Sequence, residues 1–131
     1  MLHPNQFRVN EAWIAFKLND VPIHTRLDGD FDCLALMDAA SCFILTAAFV
    51  PADETEASKA EARQLLKEAR AHKQELPRTL FIPDEQPADN LTLEAERQSV
   101  SVVRVPEADL LLFIGEAREG FRERFGRDDV K

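Results

Sequence analysis

Pro77-Arg78-Thr79-Leu80-Phe81-Ile82-Pro83-Asp84-Glu85 is followed, after a run of mixed polarity, by Val100-Ser101-Val102-Val103-Arg104-Val105-Pro106. The first run predicts a short buried strand over 78–82 that ends at Pro83-Asp84-Glu85; the second, rich in β-branched residues, predicts a strand over 99–105. Between them Ala88, Leu91 and Ala95 recur at i, i+3 and i+7, the spacing of a helix over 88–98 with one apolar face. A strand, a helix and a second strand within about thirty residues predict a parallel pair joined by a right-handed crossover.

The same alternation extends both ways. Downstream, Pro106 and Glu107 suit a first helical turn, and Leu110, Ile114, Ala117, Phe121 and Phe125 trace a buried stripe before Gly126 closes the helix. Upstream, Asp53 with Glu56 three residues later resembles a capping box, and Ala62, Leu65, Leu66, Ala69 and Leu76 follow helical spacing until Pro77 stops them. Before that the chain reads as β. Ala12–Leu18 and Val21–Leu27 predict an N-terminal hairpin turning at Asn19-Asp20, with Pro22 confining its second strand to an edge. Phe31–Met37 and Cys42–Val50, joined by Asp38-Ala39-Ala40-Ser41, predict a central hairpin whose strands are apolar on both faces and so covered on both.

The expected fold class is therefore α/β tending to α+β: a mixed sheet, antiparallel in its N-terminal half, followed by helix-strand-helix-strand-helix. The 131 residues suit one domain, with 31–126 as its core and 1–30 a hairpin able to stand off as an arm. A hydrophobic fraction of 45% and a charged fraction of 31% are those of a globular chain rather than a disordered one. The net charge of −8 repels phosphate backbones and anionic lipid, which argues against nucleic-acid and membrane partners. The basic residues from Lys59 to Lys73 alternate with Glu61, Glu68 and Glu75, as on a solvated helix face. Cys33 and Cys42 sit in apolar runs as small buried hydrophobes, and the N-terminus lacks the succession of a signal peptide, so the expected location is cytoplasmic.

Chemical signatures are sparse. With glycine only at 29, 115, 120 and 126, neither a dinucleotide fingerprint nor a P-loop is present. His3, His24 and His72 stand far apart and away from both cysteines, so no zinc spacing arises, and Ser41 is explained by turn chemistry. What is left is carboxylates. Asp84 and Glu85 follow a parallel strand, where open α/β sheets place ligands, and Asp32, Asp38 and Glu116 are the acidic groups available to join them.

The element order over residues 31–125 resembles the ribonuclease H-like superfamily, in which an antiparallel β half precedes alternating helices and strands. The resemblance implies a metal-binding Asp within the first strand, a second after the fourth, and a carboxylate on or near the last helix. With Phe31 opening the first strand, Asp32, Asp84 and Glu116 take those places and would hold Mg²⁺ or Mn²⁺. The quoted runs also look like an uncharacterised bacterial α/β domain family, which implies no known activity.

Three readings follow. The first is a noncatalytic bacterial domain working through protein contacts, with a protein partner or a second copy as a homodimer, since Trp13 and Phe16 give the first hairpin more apolar area than an edge needs. The second is a metal-dependent phosphoryl-transfer or hydrolytic enzyme, which requires Asp32, Asp84 and Glu116 to converge. The third is a small-molecule sensor, which requires a pocket near Asp84 and Pro106 at the carboxyl ends of the parallel strands.

Overall fold

A computed structural model describes residues 1–19, 21–27 and 29–125. Six strands and three helices follow in the order β1 (Ala12–Lys17), β2 (Ile23–His24), β3 (Asp30–Asp38), β4 (Ile44–Pro51), α1 (Lys59–Lys73), β5 (Thr79–Pro83), α2 (Asp89–Arg97), β6 (Ser101–Val105) and α3 (Leu111–Phe125). All six strands form one mixed sheet. β1 runs antiparallel to β3 and parallel to β5; β3 pairs antiparallel with β4, and β5 pairs parallel with β6.

The N-terminal hairpin does not form. β1 lies in the middle of the sheet, with Met37 of β3 beside Ile14 on one side and Phe81 of β5 on the other. β2 pairs with β3 instead, Ile23 beside Phe31 and His24 beside Asp30. Phe31 already has Pro51 of β4 on its other side, so β2 occupies the edge of β3 that β1 takes further along. Burial explains the outcome: Ala12, Trp13, Ile14, Ala15 and Phe16 are at most 1% exposed, and a strand apolar on both faces is stable only where both are covered. Residues 2–7 are no arm either. Leu2 donates its N–H to the Asp109 carbonyl, and the Phe7 ring meets Phe81 edge-on at 5.7 Å.

One face of the sheet (Trp13, Ala15, Leu34, Leu36, Leu80, Ile82) packs against α1 and α2. The other (Ile14, Phe16, Cys33, Ala35, Met37) packs beneath Leu110, Phe113 and Ile114 at the start of α3. β4 departs from the reading of two covered faces: as an edge strand it leaves Phe49 exposed. Among the described residues no helix is long and apolar enough to cross a membrane.

Three helix ends differ from expectation. α1 opens at Ser58 rather than Asp53, because Ser58 and Glu61 exchange reciprocal bonds of 2.8 and 3.1 Å while Glu56 serves another helix. Its carboxylate accepts from the N–H of Asn90 at 2.9 Å, capping α2 from outside where Ala88 offers no side-chain oxygen. α1 ends at Gln74, in the left-handed conformation, three residues before Pro77. The last helix begins as a 3₁₀ turn over Glu107–Leu110 and buries Phe113 with Leu110 and Ile114, while Ala117 and Phe121 of the predicted stripe are half-buried; the Phe125 side chain and Gly126 lie outside the described residues.

Burial also sets the thiol chemistry. Both cysteines are free, and desolvation pushes Cys33 up from 9.0 to about 11. Cys42 is raised too, by burial first and then by the charges of Asp38 and Glu116. The native state keeps the Cys33 proton at a pH where the unfolded chain, titrating near 9.0, has lost it. This contribution to stability is therefore intact below about pH 9 and is lost as pH rises toward 11. Denaturant titrations at several pH values should show a decline across that window, and Cys33→Ala should flatten it; an equal slope in the variant would refute the assignment.

Candidate functional site

β1 and β5 stay paired as far as Ile14 and Phe81, after which side chains replace the ladder. The N–H of Lys17 donates to Oε1 of Gln86 at 3.0 Å, and the Lys17 carbonyl accepts from Nε of Arg118 at 3.0 Å. The strands part, and a cleft of about 310 Å³ opens at their carboxyl ends. Lys17, Asn19, Asp32, Thr55, Glu85, Gln86, Glu107 and Arg118 line it together with Pro83 and Pro87. A smaller recess reaching Val50 and Leu34 continues from it, sharing Lys17, Asp32, Thr55, Gln86 and Pro87.

The walls are rigidly built. Arg118, brought by α3, donates to Oε1 of Glu107 at 2.6 Å besides the Lys17 carbonyl, and its side chain is 14% exposed. Glu107 in turn donates its N–H to Oε1 of Glu85 at 3.0 Å. Asn19 is a buried clip: its oxygen accepts from the N–H of Cys33 at 2.7 Å, and its amide donates to the Val21 carbonyl and, at 3.1 Å, to Oδ1 of Asp32. Arg104 holds the loop after β5 by donating to the carbonyls of Asp84 and Gln86. The contrast is Lys17. Lys17 lines the cleft, yet its ammonium has no carboxylate within 4 Å among the described residues.

The carboxylate triad expected from sequence does not assemble. Asp32 lies in the cleft but on β3, the third strand in chain order; the first, β1, contributes no carboxylate and ends in Lys17. Asp84 is exposed, and its main chain is bound to Val105 and Arg104. Glu116 is exposed on α3, and its charge acts on Cys42, which follows the opposite end of β3 from Asp32. Among the described residues no three His, Cys, Asp or Glu side chains are grouped to hold a metal. Asp32, Asp84 and Glu116 thus do not fit together as the ligand set of a divalent ion.

No family model matches the sequence, and no curated protein does. Solved structures do match. A chain of the simian T-cell lymphotropic virus intasome, determined in complex with the PP2A regulatory subunit B56 gamma, superposes with a TM-score of 0.60 at 12% identity. The fold is ribonuclease H-like. That superposition covers 88% of this chain and 39% of the other, so this chain spans well under half the length of the intasome chain. The catalytic core domain of BIV integrase aligns over 91% of this chain and 66% of its own at 11% identity, with a TM-score of 0.48. At these identities the likeness is one of ribonuclease H-like architecture alone.

Lys17, Gln86 and Arg118 were not singled out from sequence. Lys17 was the legible one, as the charge that ends an otherwise apolar run from Ala12 to Phe16. Arg118 was not, because 101 residues separate it from the carbonyl it binds.

Proposed function

We propose that this domain is a small-molecule-binding, sensor-type module whose ligand occupies the cleft between Lys17, Glu85 and Arg118. The observation that carries the reading is the Lys17 ammonium, unpaired among the described residues in a concave polar site at the carboxyl ends of parallel strands. A cation drawn from bulk water gains most from an anion brought to it, so the ligand carries a carboxylate or an equivalent anionic group. Asp32, Glu85 and Glu107 on the same walls favour an amine or hydroxyl elsewhere on that ligand. About 310 Å³ is at the small end of ligand sites, which favours a metabolite-sized molecule over a polymer.

The alternatives have less support. The homodimer reading rested on exposed Trp13 and Phe16, and both are fully buried in their own domain. The hydrolytic reading needs three carboxylates at one point, and Asp32, Asp84 and Glu116 do not meet. A bacterial, cytoplasmic setting remains part of the proposal.

Thermal melts against a panel of amino acids, hydroxy acids and dicarboxylic acids test the reading. A true ligand at a hundred times its Kd should stabilise the fold by about 2.7 kcal/mol. Lys17→Met should abolish that gain while the unliganded variant melts at or above the wild type, since it loses only an unpaired charge. No stabilising compound in the panel, or one equally effective on Lys17→Met, would refute the assignment.

A further inference from the structure

On a chain of net charge −8, the groove between α1 and α2 is basic. Lys59 and Arg63 of α1 and Arg97 of α2 line a recess of about 160 Å³, and Glu94 is the one acidic residue in its lining. Glu94 is 8% exposed, and its Oε1 is taken by the side-chain amide of Gln98 at 3.0 Å. Arg63 and Arg97 approach that same oxygen at 3.8 and 3.7 Å, outside hydrogen-bond distance, with side chains 58% and 69% exposed. Glu56 nearby is already committed to the N–H of Asn90. Two guanidiniums therefore share one carboxylate oxygen, and Lys59 adds a third positive charge to the same lining. Leu93, in the same lining, is 61% exposed and offers an apolar contact beside them.

We infer that this groove docks an acidic peptide segment of a partner protein, its carboxylates meeting Arg63, Arg97 and Lys59 and an adjacent apolar side chain covering Leu93. The alternating charges between Lys59 and Lys73 read as a solvated face in sequence, and Arg97 joins Lys59 and Arg63 from a different helix. Screening lets the local surplus act: at 0.15 M salt the Debye length is about 8 Å, so the distant negative charges of the chain are muted while contact pairs are not. Two forked guanidiniums suit carboxylates in particular, because each can donate two parallel hydrogen bonds. The groove stands apart from the cleft, with which it shares no lining residue, so this inference does not depend on the cleft having a ligand.

Fluorescence anisotropy with a fluorescein-labelled eight-residue peptide of alternating Glu-Glu-Leu composition tests it on the full chain. Binding with a Kd of about 10 to 100 μM is expected. Reversing both charges, Arg63→Glu with Arg97→Glu, should weaken it by about tenfold or more. Because two new carboxylates beside Glu94 can unsettle the fold, the neutral pair Arg63→Gln with Arg97→Gln, checked by thermal melt, should show a smaller loss in the same direction. Lys17→Met should bind the peptide as the wild type does. Absence of binding at 1 mM peptide, undiminished binding by the folded neutral pair, or displacement by an equal concentration of inorganic phosphate would overturn the inference.

Discussion

Asp38→Ala should destabilise the domain by about 2 to 4 kcal/mol, a large part of the roughly 5 to 15 kcal/mol that a domain of this kind possesses. Asp38 ends β3 with no exposure to solvent, and its carboxylate accepts three hydrogen bonds. Oδ1 takes the N–H of Asn10 at 2.6 Å; Oδ2 takes the N–H and the hydroxyl of Ser41 at 3.0 and 2.7 Å. Alanine leaves the buried N–H of Asn10 without an acceptor and frees the exposed Ser41 from its anchor, and an unmade buried hydrogen bond costs more than a made one contributes. Asn10 also depends on this anchor, because its backbone is left-handed and its side chain accepts from the indole of Trp13. Denaturant unfolding measures the loss. Asp38→Asn, which keeps the size but turns one acceptor into a donor, should fall between alanine and wild type. A change under about 1 kcal/mol in Asp38→Ala would mean the network is decorative.

Trp13→Ala should cost a comparable 3 to 5 kcal/mol, the usual range for deleting a buried aromatic. Trp13 is fully buried on β1, and it is the largest side chain on the face that α1 and α2 cover. Its indole N–H donates to Oδ1 of Asn10 at 2.6 Å, so the substitution opens a cavity and orphans an acceptor together. Trp13→Phe separates the two effects by removing the donor and keeping most of the volume. A cycle with Asp38→Ala should show coupling of about 0.5 kcal/mol or more, because Asn10 bridges the two residues. Strict additivity would mean that Asn10 transmits nothing between them.

These residues also mark the limit of local reading. The apolar run from Ala12 to Phe16 reads as a strand, and its two apolar faces are evidence in the sequence for a central position. The turn signal at Asn19-Asp20 points instead to a hairpin. Asp38 reads as the start of a turn, which it is; that its carboxylate is buried depends on Asn10, 28 residues earlier. Asp53 and Glu56 have the spacing of a capping box, but Ser58 and Glu61 have it too, and Glu56 was drawn away by α2. In the cleft, a pocket after β5 could be anticipated from Pro83-Asp84-Glu85, whereas its cations could not.

Hydrophobic periodicity and turn residues act between neighbours a few positions apart, so the alternation of strands and helices after Pro51 and the mixed character of the sheet were determined by the sequence directly. Partner choice is settled by which arrangement buries the most apolar surface at once. That global comparison put β1 between β3 and β5, brought Arg118 to Lys17 and Arg97 to Arg63, and kept Asp32, Asp84 and Glu116 apart. A carboxylate can be recognised in sequence as able to bind metal; whether three of them meet is decided by the packing of the strands and helix that carry them.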